Sequence, residues 1–478
     1  MIRISPMLRA IIPALAMSLI LPSIAESAEE RAVGADARTS LGLVIYGGGF
    51  AMVRDQRKVD LAQGNNRIAL TDVSRSMDQA STILRAENAT VTAQLFDFDI
   101  LTPDRLLAAS VGQDVTIIST HPQTGVETLR RARVLSVSGG PVLQIDGRIE
   151  TGIPGRLAFD ALPPGVRSAP SMVADIQTET PGERVLDLAY LTDNLDWQAD
   201  YVAEIAPDGS SLRLESWATL TNRTDIDFTN ANISLVSGQV NRQPTRQPKA
   251  APMLMRSEAM AVSDSAGGAP VREGLGDYHL YRLKTPVTLS QRESRKIALF
   301  SPAAVQSSRT YLFRGGQHYY GGRSGEQQLN AAIEIHFVND PKAGLGEPLP
   351  GGTVRLYQRD STGTPVFIGE DSIARTPENQ EVRLNIGQAF DVTATRRQTD
   401  YDRRKDSIGT VTTTEHEIVV ANAREDAVTV RIEERLYGDW EILSSSAEYE
   451  KLDAFRLAWD VTVPAGGETT LSWKARIR

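Results

Sequence analysis

The sequence predicts a mainly β protein: several antiparallel β-sandwiches of immunoglobulin-like or fibronectin-like pattern, with a small SH3-like barrel near the N-terminus. Three stretches carry that expectation. Residues 186–242 alternate apolar and polar positions between tight polar turns, the period of a strand with one buried face. Residues 102–149 combine one helix start with short strands and glycine-centred turns. From about Val411 the alternation is the clearest in the chain. Val428, Val430 and Ile432 make one face, Phe455, Leu457, Trp459, Val461 and Val463 a second, and Leu471, Trp473, Ala475 and Ile477 a third.

A chain of 478 residues has room for about three domains at roughly 150 residues each. Residues 1–25 have the pattern of a secretory signal: Arg3 and Arg9, the apolar segment Ala10 to Leu21, and small residues in Ser23-Ile24-Ala25. The apolar run falls short of the about 20 residues that a membrane span needs; an uncleaved N-terminal anchor is the alternative. The signal holds two basic and no acidic residues, so its removal takes the formal charge from −9 to −11. An acidic chain lacks the basic footprint that a phosphate backbone requires, so no nucleic-acid partner is expected. The absence of cysteine excludes disulfides, thiolate nucleophiles, Cys-ligated metals and lipid attachment through an N-terminal cysteine. The expected place is the periplasm or the cell surface, with no transmembrane span in the mature chain.

Along the chain, residues 26–40 are polar and Ala-rich and read as a disordered lead-in. An N-terminal β module follows at 41–104, where Gly47-Gly48-Gly49 breaks a strand. The triplet lacks the lysine and the following helix of a phosphate loop. Thr102-Pro103-Asp104 opens a short helix, with a cap, a proline at the first turn and an acid. Short strands and the turns Gly139-Gly140 and Asp146-Gly147 then place the SH3-like barrel at 105–165. A central sandwich region spans 166–410. Within it, Leu186, Leu188 and Tyr190 share a face, Trp197 leads a second run with Tyr201, Ala203 and Ile205, and Asp208-Gly209 marks a hairpin before Leu212, Leu214 and Trp217. Trp197 and Trp217 are ligand platforms or core, and the usual burial of large rings favours core. Residues 243–276 are rich in Pro, Ala, Ser, Gly and Met without strand periodicity, and read as a mobile insert; Met253, Leu254 and Met255 docking on a partner is the alternative. A C-terminal sandwich closes the chain at 411–478.

Three passages carry a family resemblance: YLTDNLDWQADY with WATLTNRT and ANISLVSGQVN, then NDPKAGLGEPLPGGTVRLYQRD, then FIGEDSIARTPENQEVRLNIGQAFDVTATR ending at Arg396. Together they resemble the C-terminal domain of mucoidy-inhibitor-A-like proteins, a bacterial family of unknown function, over roughly Glu183 to Arg478. LVIYGGGFAMVRDQRKVDLAQGNNRIALTDV is similar to the β module that often precedes it. Such proteins often carry a coiled coil between the two modules, where this chain has the 105–160 segment. The resemblance implies an influence on exopolysaccharide or envelope state and brings no catalytic residue or cofactor.

Chemistry-bearing residues are sparse. His121, His279, His318, His336 and His416 stand at no metal-ligand spacing, and structural or surface roles are expected of them. Asp97 and Asp99 flank Phe98 on one strand face, a pair for Ca²⁺ or acid–base work or a solvated edge. No G-x-S-x-G occurs. Asp400, Asp402, Arg403, Arg404 and Lys405 read as a solvated loop. The glycine-flanked tip His318-Tyr319-Tyr320 is the candidate for ligand contact, since aromatics on glycine-hinged loops stack on sugars or peptides. No cofactor and no metal is expected. The expectation is therefore an exported non-catalytic protein that binds or scaffolds an envelope protein or polysaccharide. The alternative is an envelope hydrolase with carboxylates from separate strands. On the signal pattern, N-terminal sequencing of periplasmic material is expected to start near Glu26; Met1 retained in a membrane fraction would indicate an anchor.

Overall fold

The structure, a computed structural model, describes residues 29–98, 101–161, 163, 167, 169–238, 240–242, 271–275, 278–316, 322–405, 407 and 409–478. It is mainly β. Among the described residues one α-helix, Pro103–Ala109, and three 3-10 turns accompany thirty strands. The described residues form two compact units, one within 29–37, 58–71 and 85–185, the other within 38–57, 72–84 and 186–478.

The first unit holds two sheets. In one, Glu30–Val33 runs parallel to Gly64–Thr71, and Ser171–Thr178 lies antiparallel between Gly64–Thr71 and Thr90–Asp97. The described part of the expected lead-in is thus a strand, a 3-10 turn, Ala35–Ala37, and the start of the strand Arg38–Tyr46. Its polar composition hid this, because its backbone partners lie more than thirty residues away at Arg67 to Leu70. The other sheet has five antiparallel strands in the order Arg148–Thr151, Val142–Ile145, Glu127–Ser136, Asp114–Thr120, Arg156–Ala158. Thr102 caps the helix by accepting from the Arg105 N–H at 3.2 Å. Leu107 packs against Val115, Ile117, Val134 and Leu143. Asp146 and Gly147 both take positive φ, 49° and 80°, as the tight hairpin turn requires. The expected barrel is not formed. Its outer strands have four and three residues and do not pair with each other among the described residues, so the sheet stays open.

The chain also forms an eight-stranded sheet and a thirteen-stranded sheet, the larger within the second unit. In the smaller, Phe228–Ser237 lies between Arg38–Tyr46, in parallel, and Tyr278–Arg282, antiparallel. Val271–Leu275 pairs with Tyr278–Arg282, so the end of the expected mobile insert is a strand. Met253, Leu254 and Met255 lie outside the described residues. The larger sheet depends on two long strands. Ser294–Arg314 has 21 residues and pairs first with Ser211–Asn222, then with Gln327–Val338, and in parallel with Val428–Arg435. Glu381–Lys405 has 25 residues and passes from Gln327–Val338 to Thr410–Asn422. The sequence reads its charged end as a solvated loop, and a register irregularity near Gly387 interrupts the alternation before it. Asp400 to Lys405 are strand residues on the far end of that hairpin.

Burial follows period two along Leu195–Ile205, with Trp197, Tyr201, Ala203 and Ile205 inside and the Trp197 indole N–H donating to the Val236 carbonyl at 3.1 Å. Trp217 breaks the expected pattern. Leu212 and Leu214 set the phase that buries Ser216, so Trp217 is half-buried on the opposite face under the Lys296 ammonium, 5.3 Å from its ring centre. At the C-terminus Trp459 and Trp473 stack, ring centres 5.7 Å apart and 22° from parallel, and the Trp459 indole N–H donates to Ser445 Oγ at 2.9 Å. Their core also contains Tyr311, Phe313, Ala331 and Val392, so strands earlier than residue 411 complete it. Phe455 precedes its strand and stays exposed. Trp459→Ala is expected to cost about 3–5 kcal/mol, the range for deleting a buried large ring. A loss below about 1 kcal/mol in urea melts would contradict the stacked core position.

Candidate functional site

One face of the second unit's larger sheet is hollowed into a cleft of about 500 Å³. Its floor crosses Glu450–Lys451, Arg456–Val463, Val428–Arg435, the last third of Ser294–Arg314, Gln327–Val338 and Glu381–Lys405. Strand period two builds it. Val430 and Ile432 turn to the core while Arg431 and Glu433 turn to the cleft; Ile335 and Phe337 turn to the core while Glu334 and His336 turn to the cleft. Register then sets the neighbours. Arg383, His336 and Ser308 stand side by side on three strands, Glu334 stands beside Thr310, and Leu312 beside Arg431 and Asp460.

Ion pairs tile this floor. Arg314 Nη2 meets Glu334 Oε1 at 2.6 Å. Arg431 reaches Glu450 at 2.6 Å and Asp460 at 2.9 Å. Arg383 meets Glu381 at 2.7 Å. Arg314 and Arg431 also flank Glu433 at 3.7 and 3.8 Å. The His336 ring sits between two carboxylates, Nδ1 at 3.4 Å from Glu381 and Nε2 at 3.6 Å from Glu334. Burial alone would push the Glu381 carboxyl up; the Arg383 guanidinium outweighs it and holds the group below the usual carboxylate range. Burial works against the Arg431 charge, and Glu450 and Asp460 more than restore it. Each carboxylate of the floor has a cationic partner. Among the described residues no group of His, Asp and Glu is arranged to hold a metal ion.

A second polar group is buried inside the sandwich. Arg396 Nη1 and Glu434 Oε1 pair at 2.7 Å with side chains 3% and 1% exposed. Arg396 Nε donates to His416 Nδ1 at 3.4 Å, and His416 Nε2 lies 2.9 Å from Thr414 Oγ1. A guanidinium only donates, so His416 accepts at Nδ1 and carries its proton on Nε2, pointing at Thr414. Gln398 Nε2 donates to the same hydroxyl at 3.0 Å, and Gln398 Oε1 accepts from the Ser324 N–H at 2.8 Å. At the other end, Gly315 donates its N–H to the Glu433 carbonyl at 2.7 Å, and a Cβ there would collide with Glu434 Oε2. His416 also stacks on Trp473 at 4.7 Å. Burial and the neighbouring Arg396 charge lower its pKa to about 3.

His318, Tyr319 and Tyr320 lie outside the described residues; Gly315 and Ser324, on either side, are the residues this buried group holds. Asp99 likewise lies outside them, and Asp97 is paired with Arg167 at 3.0 Å. His121 Nδ1 accepts two turn N–H groups at 3.3 Å. Sequence reading missed Arg383, Arg431, Glu433 and Glu450. Their signal was present as charged positions out of phase with the apolar faces, but the register that gathers them is long-range.

Residues 186–478, which hold both polar groups, match the model of a family described as a domain of unknown function, DUF4139. The chain belongs to the DUF4139 family. No curated protein matches the chain. No helix among the described residues is long and apolar enough to cross a membrane.

The buried group of this DUF4139 domain has a pH signature. The unfolded chain takes up the His416 proton near pH 6.5 and the folded chain only near pH 3. His416 therefore contributes no penalty above about pH 6.5, and stability falls as pH drops toward 3, by at most about 1.4 kcal/mol per unit. Urea melts at about pH 7 and about pH 5 are expected to show this slope, and His416→Gln to flatten it. Gly315→Ala is expected to destabilise the DUF4139 domain by about 1–3 kcal/mol through overpacking, read in the same melts.

Proposed function

We propose that this DUF4139 protein is an exported, non-catalytic component of the cell envelope, at the periplasm or cell surface, that binds or scaffolds a protein or polysaccharide partner on the charged cleft of its larger sheet. One observation carries the reading: the carboxylates of the cleft are each met by arginine or histidine, on a floor of strands hydrogen-bonded to one another. Paired charges on a rigid sheet suit recognition, whereas general acid–base work needs a carboxyl whose environment sets its pKa near the working pH. Export is supported by the N-terminal signal pattern, and an effect on exopolysaccharide by the resemblance to mucoidy-inhibitor-A-like proteins.

The test is binding of the purified protein to sedimented envelope material. Arg383→Ala with Arg431→Ala is expected to weaken capture at least about tenfold, equivalent to about 1.4 kcal/mol, with the urea midpoint within the range of surface changes. Undiminished capture would remove the cleft from the reading. Turnover of an envelope glycan or peptide, abolished by Glu334→Gln in a folded protein, would replace it with the hydrolase.

A further inference from the structure

We infer that the cleft takes a neutral, hydroxyl-rich ligand: a stretch of uncharged polysaccharide. The inference rests on the binding reading above and narrows it by chemistry. A peptide adding as a strand needs an open sheet edge. The middle strands of this floor are paired on both sides; Val428–Arg435, for one, lies between Ser294–Arg314 and Arg456–Val463. A peptide held by its side chains needs apolar pockets, and the cleft lining offers only Leu312 and Leu452. A charged polymer gains little. Arg431 is already bound to Glu450 and Asp460, and Arg383 to Glu381, so a polyanion would have to displace a carboxylate for each contact it makes.

A sugar hydroxyl donates and accepts at once. It can donate to a carboxylate and accept from the guanidinium beside it without separating the pair, and Ser308 and Thr310 add hydroxyls of their own to the lining. Exposed rings, outside the lining itself, stand at one end of the strand pair Val428–Arg435 and Arg456–Val463 that floors the cleft. Arg456 lines the cleft, and the residue before it, Phe455, is 44% exposed beside Tyr437, 40% exposed, with ring centres 5.9 Å apart. The Arg435 guanidinium lies 5.2 Å over Tyr437, and Arg435 is the cross-strand neighbour of Arg456. Exposed rings next to a polar cleft supply the apolar platform on which the C–H face of a pyranose stacks. The volume, about 500 Å³, is in the roughly 300–1,000 Å³ range of small-ligand sites.

The experiment is calorimetric titration of the full protein with maltoheptaose, cellohexaose and laminarihexaose, and with polygalacturonate as the charged arm. At least one neutral oligosaccharide is expected to bind, with affinity changing less than about twofold between low and high salt. Tyr437→Ala with Phe455→Ala, and separately Glu450→Gln, are each expected to weaken it at least about tenfold while urea melts stay unchanged. Three results would overturn the inference: binding of polygalacturonate alone with a steep salt dependence, failure of every neutral oligosaccharide, or neutral binding that none of these variants disturbs. If the neutral panel fails while Arg383→Ala with Arg431→Ala still weakens envelope capture, the ligand class is wrong and the binding cleft stands. If that capture is insensitive too, the cleft itself is wrong.

Discussion

Backbone hydrogen bonding along Ser294–Arg314 is the constraint on which the second unit depends. At roughly 3.3 Å per residue its 21 residues have a contour of about 70 Å. No single neighbour covers that length. Because a buried N–H or C=O left without a partner is costly, each change of partner has to be immediate. The strand leaves Ser211–Asn222 at Gln306 and is paired with Gln327–Val338 from Ser307. The segment past this handover carries Ser308, Thr310 and Leu312, so the same constraint that keeps the sheet continuous places the middle of the cleft floor.

Strand faces in this protein are readable from period two alone, because burial repeats with the pleat: Trp197 to Ile205 and Val428 to Ile432 are buried as their spacing demands. What fails is phase across a break and closure across a sheet. Size favours burying Trp217, but the phase of Leu212 and Leu214 turns it outward. The five-stranded sheet has turns like those of a closed barrel, but its outer strands are too short to meet, and strand length is a weaker signal than turn chemistry. The strand Glu30–Val33 escapes notice because a parallel partner leaves no mark on local composition.

The cleft was less legible still. His336 could be placed opposite Ile335 and Phe337, but Glu381, Arg383, Arg431 and Glu450, which lie 45 to 114 positions from it in the chain, join it only through long-range strand pairing. The buried group shows the same limit from the other side. A histidine, a threonine and an arginine spaced along two adjacent strands look like ordinary surface alternation, and only the pairing of Arg396 with Ile418 and of Gln398 with His416 brings them inward together.

The parallel pairing of Tyr311 with Val430 and of Ala199 with Gly352 has a kinetic consequence. Each closes a loop of more than a hundred residues, and loop-closure entropy has to be met before such contacts stabilise anything. A fold dominated by pairings of this span has high contact order and forms slowly. A growing chain that ends before Val428 leaves the last residues of Ser294–Arg314 without their parallel neighbour, and an unpaired strand edge is a template for association with other chains. The larger sheet is therefore exposed to misassembly until its final fifty residues arrive, and those residues carry both tryptophans of the C-terminal stack, Trp459 and Trp473.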